Sequence, residues 1–421
     1  MKIPARNLAC AAALLLSACE SSPSAPVRSA TCATPVSLRA GEVRELRGAA
    51  ALSCFVAASA DITSDYVFIA ANATATQDDV RQFQIDATIG RVPVAQATAP
   101  SALPDASRAA RHIREERVVN EPLPFAIRFE GERRAKERRQ LGDRSLSALG
   151  ASSRQAMRDA GDGAFHGVAT AALGDTLQYR MGNAATSNLC TNFTTVRAVV
   201  RARGQRAIIV QDVNAPAGGF SEADFAALAQ EFDQTTYPTV AGWFGIPTDI
   251  NGDGRITILV TPEINRLTPT GSLGFAGGFF FMSDLIARSI PSQGYSCPAS
   301  NEQEILYLLA PDVNGQVNGN RFSVETARES ARGTMAHEMQ HMINQGIRQS
   351  SSGGAREVAW LDEGLSHFAE EAVGRASRGY SDGRRLRWND VLVDLDDFDS
   401  YFRQNLLRHR LWLDRPDLAS A

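Results

Sequence analysis

The sequence predicts an α+β fold, and three observations carry that prediction. Alternating or wholly apolar runs bounded by turn residues, the pattern of strands, recur through residues 196–282. Helical spacing dominates from residue 301 onward. Two imidazoles lie four residues apart, at His337 and His341, on the longest helical stretch, and no internal repeat is present.

The chain has 421 residues, enough for two or three domains, with 44% hydrophobic and 21% charged residues. A net charge of −4 gives no footprint of a nucleic-acid binder. Lys2 and Arg6 precede a short apolar run at 8–16 that is too short to span a bilayer. It ends in Leu16-Ser17-Ala18-Cys19, which resembles a bacterial lipobox. The expectation is a signal peptide over 1–18, a lipidated Cys19, a Ser/Pro-rich tether over 19–35, and attachment to the bacterial envelope through the lipid, at the outer membrane or cell surface. Of the six Cys, Cys10 leaves with the signal. Cys32, Cys54, Cys190 and Cys297 allow three connectivities, with Cys32–Cys54 favoured because both fall in one small segment.

Residues 36–100 contain strand-like runs such as Tyr66-Val67-Phe68-Ile69 and read as a small β-rich domain. Residues 101–164 are dense in both charge signs, with Arg133-Arg134-Ala135-Lys136-Glu137-Arg138-Arg139 at their centre, and read as a solvated linker or helical region. From 165 to 421 the chain reads as one domain. Residues 196–202 and 207–210 form a hairpin around Arg203-Gly204-Gln205. Ser221 and Asp224 form a capping box ahead of a helix with Phe225, Leu228 and Phe232 on its buried stripe. Residues 256–260 are a buried strand, and the Gly- and Phe-rich residues 274–282 are another, with close backbone approach. Helices are expected over 301–309, 323–346 and 357–373.

His337-Glu338-Met339-Gln340-His341 is the chemical centre. Residues four apart share a helix face, so both imidazoles can reach one zinc ion, and Glu338 beside them can take a proton from water held at the ion. Met335, Met339 and Met342 repeat on the opposite side as core packing. A catalytic zinc needs a third protein ligand, and Trp360-Leu361-Asp362-Glu363-Gly364-Leu365-Ser366 offers Glu363 after a Gly-rich turn.

These motifs resemble the gluzincin metallopeptidases and, more closely, the hyicolysin-type neutral zinc metallopeptidases. The resemblance rests on residues 249–256, 300–308, 336–344 and 360–366, in that order. It implies a zincin-like domain built of a mixed sheet and active-site helices. It also implies one catalytic Zn2+ held by His337, His341 and Glu363, Glu338 as general base, and hydrolysis of peptide bonds in proteins, as an extracytoplasmic endopeptidase. Three departures stand out. Asp362 replaces the usual Asn. His367 takes the position four after Glu363 where a supporting carboxylate is usual, leaving that role to Glu370 or Glu371. Relatives continue beyond a stretch like 405–409, so a C-terminally truncated form is expected, with Tyr380 and Tyr401 as substitutes for a missing transition-state helper.

Asp249, Asn251 and Asp253 resemble the start of a calcium loop, but the twelfth position is Val260, so the choice lies between a lone Ca2+ turn and an Asx-rich turn. The competing functional expectation is a catalytically weak zinc-binding surface lipoprotein with a binding or adhesion role.

Overall fold

The computed structural model describes residues 35–37, 44, 46, 56–58, 125–160, 170–351 and 354–414. The expected signal peptide, Cys19, all of the expected tether except Pro35, Cys32, Cys54 and nearly all of the expected 36–100 domain lie outside the described residues. The chain divides into two units, Met1–Ala97 and Thr98–Ala421. In the first, strands β1 (Pro35–Ser37) and β2 (Val56–Ala58) pair in parallel. Among the described residues, no helix is long and apolar enough to cross a membrane.

The second unit is mixed α+β. Its main sheet contains β3 (Thr176–Gly182), β4 (Phe193–Arg203), β5 (Ala207–Asp212), β6 (Ile256–Thr261), β7 (Gly278–Phe280) and, after a small hairpin of β8 (Ser289–Ile290) and β9 (Tyr295–Ser296), β10 (Ile305–Leu309). The order across the sheet is β3-β4-β5-β6-β10-β7. The outer pairs β3/β4, β4/β5 and β10/β7 are antiparallel, and β5/β6/β10 are parallel. Burial explains the two sequence patterns. β6 and β10 are central and buried at every residue, so they read as continuous apolar runs, while β4 alternates because one of its faces meets solvent. Cys190 and Cys297 form a disulfide that ties the β3–β4 connection to the loop before β10, one of the three connectivities the four cysteines allow.

Helices α1 (Phe125–Leu141) and α2 (Leu146–Ala160) precede the sheet. α3 (Glu222–Glu231) starts at Ser221, whose capping box with Asp224 is formed, and buries Phe225 and Leu228. It runs through a π-helical turn, Phe232–Thr236, into α4 (Tyr237–Phe244). The wide turn falls where Pro238 cannot donate to an α-helical ladder. α5 (Val324–Ser350) is the backbone of the unit, and its Met335, Met339 and Met342 are fully buried. It packs closely enough at Gly333 that a Cβ there would lie 2.2 Å from the Ser400 carbonyl oxygen. α6 (Ala359–Ser377) folds back on α5, and α7 (Arg403–Asp414) follows a π-helical turn at Phe398–Phe402.

Two expectations change. Residues 301–309 are not a helix. Ile305–Leu309 is the central strand β10, a five-residue apolar run whose periodicity cannot separate strand from buried helix. The charged stretch, expected as a solvated linker or helical region, is helical over Phe125–Leu141 and Leu146–Ala160, but one face of it is buried rather than wet. Arg133, Arg134 and Glu137 of α1 are among the most buried side chains in the unit, and α2 buries Leu146, Leu149 and Met157.

Asp284, in the turn after β7, accepts hydrogen bonds from the Tyr307 hydroxyl at 2.7 Å and the Asn301 amide N–H at 2.6 Å. Burial nevertheless pushes its carboxyl from the ordinary 3.8 up to about 8. Between those values the folded chain keeps a proton that the unfolded chain releases, so this contribution to stability is full below the lower value and is lost as pH rises through the higher one. Asp284→Asn removes it. The Tm of this variant is expected to decline less than that of the parent chain from pH 5 to pH 8, by a few degrees. Equal slopes in thermal melts across that range would contradict the assignment.

Candidate metal centre

His337 and His341 point from one face of α5, one turn apart, toward α6, which brings Glu363 to them. The His337 and His341 Nε2 atoms are 3.1 Å apart, and Glu363 Oε2 lies 3.3 Å from the first and 3.5 Å from the second. A tetrahedral ion with bonds of about 2.05 Å has ligand–ligand edges of about 3.3 Å, so these three atoms form one face of such a site. Glu363 Oε2 is buried and accepts no hydrogen bond. The donor set, two imidazoles and a carboxylate, suits zinc.

Each imidazole is anchored at its other nitrogen. His337 Nδ1 meets Glu370 Oε1 at 2.6 Å, and His341 Nδ1 meets Asp362 Oδ1 at 3.0 Å. With Nδ1 donating to a carboxylate, Nε2 keeps its lone pair for an ion. Asn344 Nδ2 donates to the same Asp362 oxygen at 2.8 Å. Glu371, the other carboxylate considered for this role, pairs with Arg375 instead. His367 stands against His337 with ring centroids 4.6 Å apart, and its Nδ1 is 2.8 Å from Glu370 Oε1. Glu363, His367 and Glu370 share one face of α6, and His337, Glu363 and His367 also lie close enough together to share an ion.

The electrostatics favour positive charge in this spot. Burial works against charge on His337, yet Glu363 beside its Nε2, its hydrogen bond to Glu370 and the nearby Glu338 hold its pKa well above 6.5. Burial opposes ionisation of Glu370 too, but His367 and His337 draw it down to about 2. Glu363 is held well below the usual carboxylate range because, against burial, His341, His337 and Arg134 surround it. His367 goes the other way. Burial, with Arg408 and His337 nearby, lowers its pKa against the pull of Glu370.

Glu338 Oε2 accepts the backbone N–H of Phe280 at 2.8 Å, which fixes it beside the edge strand β7. Phe280 turns both its N–H and its C=O away from β10, and antiparallel alternation gives Gly278, two residues earlier, the same outward aim. Glycine is required there. A Cβ on Gly278 would lie 2.2 Å from the Tyr307 carbonyl oxygen, and one on Gly277 would lie 2.5 Å from Ser330 Oγ. Beside this edge a cleft of about 340 Å³ reaches His337, Glu338, His367 and Glu370.

Two residues at the centre were invisible from sequence. Arg134 Nε donates to Glu363 Oε1 at 3.2 Å, and its Nη2 lies 3.5 Å from Glu338 Oε2. Arg133 Nη1 donates to the Phe280 carbonyl and to Glu137 Oε1, both at 2.9 Å. The Arg–Glu spacing of three and four residues marks ion pairs along a helix face, but nothing in it distinguishes a buried face from a wet one. Other candidates lie elsewhere. Tyr401 donates to Glu231, and the Tyr380 hydroxyl faces the Asp390 carbonyl, so neither reaches the centre. Oxygens of Asp249, Asn251 and Asp253 accept hydrogen bonds within their own turn, from Gly254 N–H, Asp253 N–H and Arg255 N–H.

No family model matches the chain. Over 145 residues the chain is 31% identical to a neutral metalloprotease, ShpI, of Staphylococcus hyicus. That stretch is 34% of this chain and 29% of the relative's length. The likeness supports a metallopeptidase and, with it, a metal cofactor.

Glu137 holds the two buried guanidiniums together. Removing its carboxylate leaves them short of counter-charge, at a cost on the order of 3–5 kcal/mol. Glu137→Ala is expected to lower the urea midpoint and to strip hydrogen-exchange protection from Phe125–Leu141 first. An unchanged midpoint would show that the cluster does not hold α1 in place.

Proposed function

We propose that the chain is a zinc-dependent peptidase acting on extended polypeptide, with a zincin-like domain over 165–421, His337, His341 and Glu363 as the metal ligands, and Glu338 as general base. The observation that carries this reading is the triangle of donor atoms, 3.1, 3.3 and 3.5 Å on its edges, backed by a carboxylate on each imidazole. The partial likeness to a neutral metalloprotease agrees with it.

A bound zinc ion supplies Lewis-acid polarisation of the scissile carbonyl and makes water a better nucleophile at neutral pH. The rest is the work of the chain. The outward N–H and C=O of Gly278 pair with an extended substrate backbone as an added strand and fix the scissile bond against α5. Glu338, aimed by the Phe280 N–H, takes the proton of the attacking water and delivers it to the departing amine, so that each peptide bond and one water yield a carboxylate and an amine. Glu370 and Asp362 hold the two rings in the tautomer that offers Nε2. His367 lines the cleft with its ring against that of His337, beside the reacting centre.

Export and a lipid anchor on Cys19 belong to the same proposal, with protein or peptide as the substrate class. In sequence, the small β-rich domain proposed over 36–100 separates Cys19 from the peptidase domain.

Glu338→Gln is expected to keep stoichiometric zinc and lose at least about a hundredfold in casein hydrolysis. Wild-type activity in that variant would contradict the role of Glu338. Glu370→Gln is expected to weaken zinc binding about 10- to 100-fold, read by competition with a chromogenic chelator. Zinc bound tightly by the parent chain with no turnover of any unfolded protein would favour a binding role instead.

A further inference from the structure

α1 lies where a substrate would have to go. Its Arg133 occupies the Phe280 carbonyl, the acceptor on the outer edge of β7 nearest Glu338. Its Arg134 reaches between Glu338 and Glu363. Ala126, Ile127 and Glu130 form one wall of the cleft, the Phe125 N–H donates to the Leu273 carbonyl at 3.0 Å, and Glu130 pairs with Arg408 of α7 at 2.6 Å.

The chemistry of this contact is that of a releasable part. The buried residues of α1 are Arg133, Arg134, Glu137 and Leu141, three charged and one apolar, and Phe125 and Phe129 are only partly buried. Charges taken from water return little net free energy, so α1 is held by its match to the site more than by apolar burial. The neighbouring α2 is anchored differently, through Leu146, Leu149 and Met157 in the core. Between them Gly142 adopts φ +60, a conformation that glycine takes without cost, at the natural pivot.

We propose that α1 is a built-in plug of the active site, which keeps the chain latent until it is displaced and competes with polypeptide for the outer edge of β7. The inference rests on the peptidase reading. A site that is open only a fraction of the time shows an apparent affinity reduced by that fraction, so loosening α1 must tighten every ligand of the cleft. By reciprocity, a cleft ligand must loosen α1.

Two variants of the zinc-loaded full chain test it. Arg134→Glu puts a carboxylate against Glu338 and Glu363, and Glu130→Arg, one turn earlier on the cleft wall, sets like charges against Arg408 without touching the metal-ligand set or Glu338. Both are expected to raise casein hydrolysis and the affinity for a peptide hydroxamate by about tenfold or more. Both are also expected to speed limited trypsin cleavage within α1, at the buried Arg133 in either variant and also at Arg134 in Glu130→Arg. In the parent chain, saturating peptide hydroxamate is expected to speed that same cleavage. If the parent and Glu130→Arg chains bind hydroxamate equally and digest casein at equal rates, α1 is part of the working enzyme and the plug is refuted while the peptidase reading stands. If the parent and Glu130→Arg chains both lack bound zinc and turnover, the peptidase reading fails and takes the plug with it.

Discussion

Glu338, Asp362, Glu363 and Glu370 crowd around His337 and His341 at the floor of the cleft, and all of them but Glu363 are buried. Electron-rich atoms held 3.1 to 3.5 Å apart in such a place repel one another unless positive charge sits among them. That demand organises the surroundings. α5 offers two imidazoles, one turn apart, on one face. α6 returns to supply carboxylates at 362, 363 and 370, and β7 runs close beneath to hold Glu338. The glycines at 277, 278 and 333 let these elements approach closely enough for the side chains to meet.

Much of this was legible in the sequence, and the reasons are local. Four-residue spacing on a helix is a rigid geometric statement, so His337 and His341 had to share a face. The strands β4, β5 and β6 followed from alternation and apolar runs, and the start of α3 from Ser221 and Asp224. Glu363 stood out as a third donor because a helix after a Gly-rich turn can fold back on its predecessor, but a turn alone does not determine where that helix docks, and the family resemblance supplied the rest. β10 was misread because five apolar residues fit either kind of buried element.

The largest gap was α1. A run of alternating Arg and Glu ordinarily marks a wet surface, and the sequence carries no sign that the partners of Arg133 and Arg134 sit more than a hundred residues away. Burial of charge is decided by tertiary partners, and those partners, Glu338, Glu363 and the Phe280 carbonyl, are the groups the proposed chemistry needs. The same cation-seeking cluster is thus met by guanidiniums on one side and is shaped for a metal on the other.

X-ray absorption spectroscopy on the zinc-loaded chain at neutral pH tests the central claim most directly. The expected first shell holds two imidazole nitrogens and at least one carboxylate oxygen at about 2.0–2.2 Å, and Glu363→Ala removes the carboxylate contribution while both imidazoles remain. A shell without two imidazoles, or one unchanged by Glu363→Ala, would contradict it.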